Sequence, residues 1–156
     1  MKKVTLCFLR RGDEILLAIK KRGFGVGKYN GIGGKVEPDE TIEDAMKREA
    51  MEEIGVKITD FEKVAVIQFY FPLVPTDQNW NQEGHIFIVN RWKGEPKETE
   101  EMAPKWFKIR DIPYKQMWTD DIYWLDRVLK GEKITAEFTF GENESITDHK
   151  IKTALI

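Results

Sequence analysis

The sequence contains few of the side chains that commonly act as nucleophiles or zinc ligands. Ser145 is its only serine and stands outside any G-x-S-x-G context, and Cys7 is its only cysteine. A serine or cysteine nucleophile is therefore disfavoured, and no internal disulfide can form. Cys7 stands in an apolar run, which favours a buried structural thiol over a reactive one. His85 and His149 are the only histidines, too few and too far apart for an H-E-x-x-H zinc site.

The chain also lacks an excess of positive charge and any long hydrophobic run. Its formal charge is −2 and its pI is near 5.8, so it has no net positive field with which to attract DNA or RNA. Binding of a small anion together with metal ions stays open as an alternative. Arg10, Arg11 and Asp13 interrupt the apolar N-terminal segment well short of a signal-peptide core or a membrane span. We expect a cytoplasmic monomer with no nucleic-acid or membrane partner.

Length and patterning predict a single domain over residues 1–156, because the chain is 41% hydrophobic and shows no repeat or linker. Apolar runs predict a first antiparallel hairpin and further strands, over 3–10, 14–20, 61–71, 85–92, 105–109 and 133–140. Thr41 as N-cap and Gly55 as C-terminal stop bound one helix, and residues 120–131 form a second. Strands interrupted by only two helices predict an α+β protein, with a mixed sheet and helices packed on its faces.

The helix that begins after Thr41 carries acidic residues on its apolar side. At about 100° per residue, Glu49 and Glu53 fall within the apolar stripe. Glu52 lies at the edge of the stripe beside Arg48, and neutralisation of Glu52 by Arg48 on a solvated face stays open. Glu49 and Glu53 also repel each other at i and i+4, near a helix C-terminus that disfavours anions. Carboxylates aimed into a partly buried space indicate a hard divalent cation, Mg²⁺ or Mn²⁺.

Six glycines lie between residues 23 and 34, shortly before this helix. The dinucleotide fingerprint does not fit, because residues 35–38 separate Gly34 from the helix, and the P-loop does not fit, because Val36 follows Gly34 and Lys35. A turn-rich loop stays open as the interpretation of the first three glycines. Because the loop runs into the helix with the carboxylates, a glycine carbonyl is a further candidate metal ligand.

Residues 34–56 resemble the Nudix box, G-x5-E-x7-R-E-U-x-E-E-x-G-U, in which U is a bulky aliphatic residue. Gly34 and Glu40 take the first fixed positions, and REAMEEIGV, residues 48–56, follows at the required spacing. Ala50 at a U position is the one departure, and it concerns packing under the helix rather than a ligand. KKRGFGVGKYNGIGGKV, TIEDA, EEMAPKWF and QMWTDDIYW extend the resemblance over nearly the whole chain, to animal MutT-homologue enzymes that act on oxidised purine nucleoside triphosphates.

The resemblance implies the Nudix fold, an α/β/α sandwich around a mixed β-sheet. It also implies a set of catalytic and metal-binding residues, namely Gly33 through its carbonyl, Arg48, Glu49, Glu52, Glu53 and Glu101. Of these, Glu49 and Glu53 should be the main ligands of Mg²⁺, for which Mn²⁺ is a substitute, and Glu52 an auxiliary ligand. Glu101, outside the box, is implied as a ligand or a general base. Arg48 is implied to orient the loop and helix, together with Glu40.

The reaction implied by the resemblance is attack of water on a nucleoside triphosphate, with cleavage between the α and β phosphorus atoms and no covalent intermediate. Lys20 is implied to meet phosphate charge, with an ordinary solvated lysine as the alternative. The implied purine site combines stacking side chains with amide and carboxyl groups that can read a base edge, in Thr5, Phe24, Asn30, Phe69, Phe71, Met102, Trp118, Asp120 and Asp121.

The preferred substrate stays open at this level. Asp120 and Asp121 either face the purine, where repulsion would raise one pKa and set a donor beside an acceptor, or simply begin the second helix. The loop over residues 72–84 is longer than in the animal enzymes, and Gln82 stands where they have a methionine, so 8-oxoguanine and 2-oxoadenine are both candidates. Another Nudix substrate such as ADP-ribose, and a non-catalytic nucleotide sensor, are the rival interpretations.

Overall fold

The computed structural model describes residues 1–154. Within that part of the chain, two helices and eight strands follow one another in the order β1 (Lys2–Arg11), β2 (Glu14–Lys20), β3 (Tyr29–Asn30), α1 (Ile42–Ile54), β4 (Lys57–Tyr70), β5 (Gln82–Lys93), β6 (Met102–Lys108), α2 (Asp121–Leu129), β7 (Ile134–Phe140) and β8 (Ile146–Thr153). The last two residues of the predicted domain, 155 and 156, lie outside the described range, and its boundaries stay a prediction.

The strands form one mixed sheet in the order β3-β2-β1-β5-β4-β7-β8, with β6 pairing to β2 beside that path. β1 runs parallel to β5 and β4 runs parallel to β7. The pairs β4–β5 and β7–β8 are antiparallel. Parallel and antiparallel pairs therefore occur in the same sheet, which confirms the predicted sheet type.

The first hairpin forms as predicted but stays paired only beside its turn, where Arg10 faces Ile15 and Arg11 faces Glu14. Beyond these residues β1 follows β5, whereas β2 turns away to pair with β3 and β6. The divergence opens a gap between two neighbouring strands of the sheet.

A glycine-rich segment, residues 31–36, fills part of this gap by pairing with β1. The N–H of Thr5 donates to the carbonyl of Gly34 at 2.8 Å. A Cβ atom on Gly33 would stand 1.8 Å from the carbonyl oxygen of Thr5, so no residue with a side chain fits there. At this position glycine serves close backbone approach.

Side chains on the two faces of the sheet form two apolar cores. On β1, Phe8 belongs to the core that contains Trp124 of α2, whereas its neighbours Cys7 and Leu9 belong to the core that contains Met46 of α1. This division follows from the alternation of side chains along a strand. One helix therefore covers each face of the sheet, which confirms the α/β/α sandwich. Cys7 is fully buried, as predicted, and burial raises the pKa of its thiol.

Helix α1 begins and ends where its capping residues predict. The hydroxyl of Thr41 accepts a hydrogen bond of 3.1 Å from the backbone N–H of Asp44. An N-cap of this kind stabilises a helix by about 1 kcal/mol. Gly55 adopts a left-handed conformation with φ of 73°, and its N–H donates to the carbonyl of Met51. Ala50, the departure from the Nudix pattern, is fully buried under the helix and keeps the contact apolar.

Two strands, β3 and β8, were not predicted, and several element ends differ by a few residues. β8 has the sequence ITDHKIKT, is mostly exposed, and lies at the end of the strand order beside β7. Only Ile146 and Ile151 of β8 pack partly against the core, and they are five residues apart rather than at alternate positions, so the sequence has no alternation to detect. β4 begins at Lys57, before the predicted residue 61, and α2 ends at Leu129, before the predicted residue 131. Pattern-based ends commonly differ by such margins.

Candidate active site

A cavity of about 280 Å³ lies beside the gap between β1 and β2. Its lining includes Lys20, Gly33 and every side chain of the implied purine site, which are Thr5, Phe24, Asn30, Phe69, Phe71, Met102, Trp118, Asp120 and Asp121. These residues come from five strands, from the loops that follow them and from the start of α2. Only the folded chain brings them together.

Aromatic rings form much of the cavity wall. Phe71 stacks on Phe140 with 4.7 Å between ring centroids and 4° between planes. Phe24 stacks on Trp118 at 5.2 Å and 15°. Phe69 stacks on Phe138 at 6.2 Å and 19°. Flat apolar rings of this kind suit a planar heteroaromatic ligand.

Two adjacent carboxyl groups, those of Asp120 and Asp121, are buried in the same wall. Asp120 is 3% exposed and Asp121 is 2% exposed. The indole N–H of Trp124 donates to Asp120 Oδ2 at 2.8 Å. Burial raises the pKa of Asp120 to about 6, and burial together with the charge of Asp120 raises the pKa of Asp121 well above its usual range. Asp120 occupies the N-cap position of α2 without a capping side-chain hydrogen bond.

Several buried polar atoms have no hydrogen-bond partner among the described residues. They are Thr5 Oγ1, Glu53 Oε1, His85 Nδ1 and Asp121 Oδ2. A buried polar atom is nearly always hydrogen-bonded in a folded protein, so each such atom calls for an explanation. All but His85 belong to residues named for the site from the sequence, and a bound ligand or ion would supply their partners.

The acidic residues of α1 divide as the helical wheel predicts. Glu53 is 2% exposed and lies against the sheet, whereas the side chain of Glu52 is 55% exposed. Burial, followed by the neighbouring Glu49, raises the pKa of Glu53 to about 9. The charge of Glu101 contributes to the same rise, and that of Lys20 opposes it. The carboxyl group of Glu101, in the segment before β6, is therefore close enough to act on Glu53 through its charge.

Glu49 lies against the glycine-rich segment. A Cβ atom on Gly34 would stand 2.6 Å from the carboxylate of Glu49, so glycine is needed for this approach as well. Glu101 is nearer the surface, where its carboxylate lies 3.6 Å from Arg22. None of the four glutamates belongs to the lining of the described cavity, whereas the adjoining backbone of Gly33 and Gly34 does.

Arg48 joins helix α1 to the segment that precedes it. Its guanidinium donates to both carboxylate oxygens of Glu40, at 2.7 and 3.0 Å, and to the carbonyl of Lys35 at 3.1 Å. It also contacts Glu49 at 2.8 Å and Glu52 at 3.2 Å. The two-pronged bond, helped by a backbone N–H, lowers the pKa of Glu40 to about 2. These contacts fit the orienting role implied for Arg48 and Glu40.

The donor atoms at this end of the site suit a hard divalent cation. Glu53 offers a buried oxygen without a partner, and Glu49 lies beside it. The carbonyls of Ile32 and Gly34 both accept hydrogen bonds from β1, so by strand alternation the Gly33 carbonyl faces away from β1. Within residues 1–154, however, no three acidic, histidine or cysteine side chains already surround a common point. The oxygen set is of the type that Mg²⁺ and Mn²⁺ prefer, and Glu49 would have to turn from Arg48 to complete it.

Comparison with known proteins agrees with the fold and with the motif. The profile of the NUDIX domain matches residues 2–128. The chain belongs to the Nudix family. A Danio rerio protein named oxidized purine nucleoside triphosphate hydrolase is 41% identical to this Nudix chain over 150 residues, which cover 96% of this chain and 94% of the relative. The Mus musculus protein of the same name is 39% identical over 148 residues, covering 95% and 92%.

A solved structure is similar over the same extent. The crystal structure of a MutT protein from Bacillus halodurans superposes on this Nudix chain with a TM-score of 0.81, covers 97% of each chain and is 21% identical. At that identity the likeness shows a shared fold. The roles of individual site residues stay predictions.

The structure adds residues to the cavity that sequence reasoning did not name. They include Lys2, Ile86, Trp124 and Phe140, with Trp80 packed behind the lining. Phe140 follows Phe138 at the alternate-residue spacing of β7, so its inward direction was available from the pattern. Trp80 lies in an irregular loop, where no periodicity predicts the direction of a side chain.

Proposed function

We propose that this Nudix protein hydrolyses oxidised purine nucleoside triphosphates, such as 8-oxo-dGTP, to the nucleoside monophosphate and pyrophosphate. The observation that carries the proposal is the buried pair Asp120 and Asp121 in the wall of an aromatic cavity. The lining of this cavity also includes Gly34, which lies against Glu49 of α1. The relatives from Danio rerio and Mus musculus carry the name of this activity and match almost the whole chain. The matched region therefore extends well beyond the Nudix box, over most of the positions that line the cavity.

Base recognition in this proposal combines stacking with hydrogen bonding. The purine lies against the rings that line the cavity, and its edge meets the carboxyl groups of Asp120 and Asp121. Because burial raises both pKa values, one carboxyl group keeps a proton and donates while the other accepts. Asn30 Oδ1 accepts from the N–H of Gly31 at 2.8 Å, so its amide hydrogens are available to the ligand. Donors and acceptors of both kinds suit 8-oxoguanine and also 2-oxoadenine.

Phosphate chemistry in this proposal belongs to the acidic end. Glu49, Glu53 and the Gly33 carbonyl would hold Mg²⁺, or Mn²⁺ in its place, with Glu52 as an auxiliary ligand. A bound divalent cation neutralises charge on the phosphate oxygens and makes a water more acidic. Lys20, which lines the cavity near Glu53, adds positive charge for the triphosphate.

The proposed reaction needs one water and no covalent intermediate. The water oxygen bonds to phosphorus, the bond between the bridging oxygen and that phosphorus breaks, and monophosphate and pyrophosphate separate. The proton of the water passes to a carboxylate, for which Glu101 is our candidate because it is near Glu53 and partly open to solvent. Arg48 keeps α1 and the glycine-rich segment in register throughout.

The proposed substrate is a free nucleotide rather than a polymer. The formal charge of −2 offers no general attraction to a nucleic acid. Neither described helix has both the length and the apolar character needed to span a bilayer. We propose that the protein acts in the cytoplasm as a monomer.

Release of pyrophosphate tests the function directly. The purified protein with Mg²⁺ is given 8-oxo-dGTP, 2-oxo-dATP, O6-methyl-dGTP, dGTP, ADP-ribose and diadenosine polyphosphates. We expect kcat/KM to be at least tenfold higher for an oxidised purine triphosphate than for dGTP, because a lost or mismatched buried hydrogen bond costs about 1–3 kcal/mol. Dominant turnover of ADP-ribose, or equal rates across the panel, would refute the proposed specificity. Tight nucleotide binding without turnover would indicate a sensor.

A further inference from the structure

The loop between β4 and β5, residues 72–81, holds its own shape. The N–H of Phe71 donates to Asn81 Oδ1 at 2.7 Å, which closes the base of the loop. Within it, the N–H of Gln78 donates to the carbonyl of Pro75 at 3.0 Å and that of Asn79 to the carbonyl of Thr76 at 3.1 Å. The loop therefore presents the residue that follows, Trp80, in a defined place.

Trp80 contacts two rings of the cavity wall edge to face. Its ring centroid lies 5.0 Å from that of Phe24, with 88° between planes, and 5.4 Å from that of Phe71, with 82°. Both geometries are favourable for aromatic pairs. Trp80 itself is outside the cavity lining, so it acts from behind the wall.

Phe24 depends on these contacts for its position. It is 37% exposed and lies between Gly23 and Gly25, whose φ angles of +85° and +81° are left-handed. The backbone on either side thus offers no bulky neighbour that would fix the ring. Its ring is restrained by Trp80 and Trp118, by Phe71 at 6.3 Å between centroids, and by Lys2, whose ammonium lies 5.8 Å from the ring centroid.

Phe24 and Trp118 stack directly on each other, so a ligand cannot lie between them. The 5.2 Å between the centroids leaves no room for a base between them, since a ring inserted there would need roughly 7 Å. The cavity of about 280 Å³ exists with this stack in place, and its size is near the lower end of known ligand sites. A purine can therefore lie against the wall without separating the two rings.

We propose that Trp80 is a positioning residue for the base site, and that it acts by holding Phe24 against Trp118. The proposal rests on the proposed function and deepens it, because it assigns part of the affinity for the purine to the loop over residues 72–81. The residue directly after this loop is Gln82, the first residue of β5. Its side-chain N–H donates to the backbone carbonyl of Trp80 at 3.0 Å. That bond uses only backbone atoms of Trp80, so substitution of the ring leaves it available.

Substitution of Trp80 tests the proposal in the full-length protein. We expect Trp80→Ala to raise the KM for the oxidised purine triphosphate, and the Kd for its monophosphate product measured by calorimetry, about three- to tenfold, with kcat changed less than twofold. Trp80→Phe should keep most of the affinity. Trp92→Ala is the matched control, because Trp92 stacks on Trp106 outside the cavity, at 5.8 Å and 27°.

A double-mutant cycle with Phe24→Ala decides whether Trp80 acts through Phe24. We expect Trp80→Ala to have little further effect on KM in the Phe24→Ala background. Additive effects, an unchanged KM in Trp80→Ala, or an equal rise in Trp92→Ala would overturn the proposal. If Trp80→Ala lowers Tm strongly, Trp80→Leu keeps an apolar side chain and the same KM comparison decides. Absence of wild-type turnover would refute the proposed function instead, and the Kd comparison would then decide on Trp80.

Discussion

Two pairs of carboxyl groups, Asp120 with Asp121 and Glu49 with Glu53, have different surroundings. Both aspartates and Glu53 are buried, and the side chain of Glu49 is 14% exposed. Each pair contains an oxygen without a hydrogen-bond partner among the described residues. The aspartates are met by an indole N–H and by each other. The glutamates have cations nearby, since Arg48 contacts Glu49 at 2.8 Å and the charge of Lys20 acts on Glu53.

The difference teaches that burial alone does not decide what a carboxyl group does. Burial raises the pKa in both pairs, that of Asp121 well above its usual range and that of Glu53 to about 9, so each pair retains a proton at neutral pH. The neighbouring groups differ, because the aspartate pair has a neutral indole N–H as its partner. Beside cations and a glycine backbone, the glutamate pair is placed to exchange an arginine for a metal ion. Under the proposed function, base reading and phosphate chemistry belong to separate acids within one site.

The largest expected effect comes from the glutamate pair. Glu53→Gln should lower kcat/KM on the order of a thousandfold, the size found when a group that stabilises transition-state charge is lost. It should also weaken binding of Mn²⁺ in a calorimetric titration. Glu43→Gln, at an exposed position of the same helix, is the control. Turnover retained in Glu53→Gln would remove Glu53 from the metal site.

The aspartate pair should respond in KM rather than in metal binding. Asp121→Asn should raise the KM for 8-oxo-dGTP about ten- to a hundredfold, because a buried hydrogen bond is lost or mismatched, at about 1–3 kcal/mol. Titration with Mn²⁺ should give the wild-type Kd. Asp126→Asn is the control, since Asp126 pairs with Lys130 on the exposed side of α2 at 2.8 Å. Unchanged kcat/KM in both Asp120→Asn and Asp121→Asn would refute base reading by this pair.

Glu52 tests how sharply the acids of α1 are divided. Because its side chain is 55% exposed and already paired with Arg48, Glu52→Gln should cost less than about tenfold in kcat/KM. Glu49→Gln should instead lose nearly as much kcat/KM as Glu53→Gln. Parallel assays of the three variants give the ranking, and an equal loss in all three would contradict the division.

The smallest effect concerns stability against pH. A carboxyl group whose pKa is raised in the folded state keeps its proton after the unfolded chain has released it, so stability falls as pH rises above the ordinary value near 3.8. The fall continues to about 6 for Asp120 and further for Asp121. The free energy of unfolding of Asp121→Asn should therefore equal that of the wild type at pH 4 and exceed it by on the order of 1 kcal/mol at pH 7. Urea unfolding at both pH values measures this gain, and no gain would show that the pair ionises freely.

Sequence patterns predicted the helix of the site in detail because its requirements are local. The 3.6-residue period distinguished Glu49 and Glu53 from Glu52 before any tertiary contact was known. Thr41 and Gly55 correctly predicted the start and the end of the helix, because capping depends on a few neighbouring backbone groups. The resemblance to the Nudix family then predicted the site residues outside this helix, which a helical wheel cannot predict.

Non-local packing escaped prediction. In the edge strand β8 only Ile146 and Ile151 pack partly against the core, so the sequence has no alternating pattern. Trp80 reaches Phe24 across some 56 residues of sequence, through an irregular loop whose geometry no period encodes. The separation of β1 from β2 also followed from pairings with distant strands, whereas the hairpin turn alone suggested a regular two-stranded ribbon.

The pairing of the glycine-rich segment with β1 has a consequence for how this enzyme can change. Thr5 lines the base cavity on one strand, and its backbone lies against Gly33 and Gly34, which adjoin the glutamates. A side chain at position 33 would therefore displace the backbone of Thr5 and the glycine-rich segment together. Under the proposed function, specificity for the base and affinity for the metal therefore share one mutational constraint. Changes in specificity would have more freedom at the outer loop, residues 72–81, than along β1.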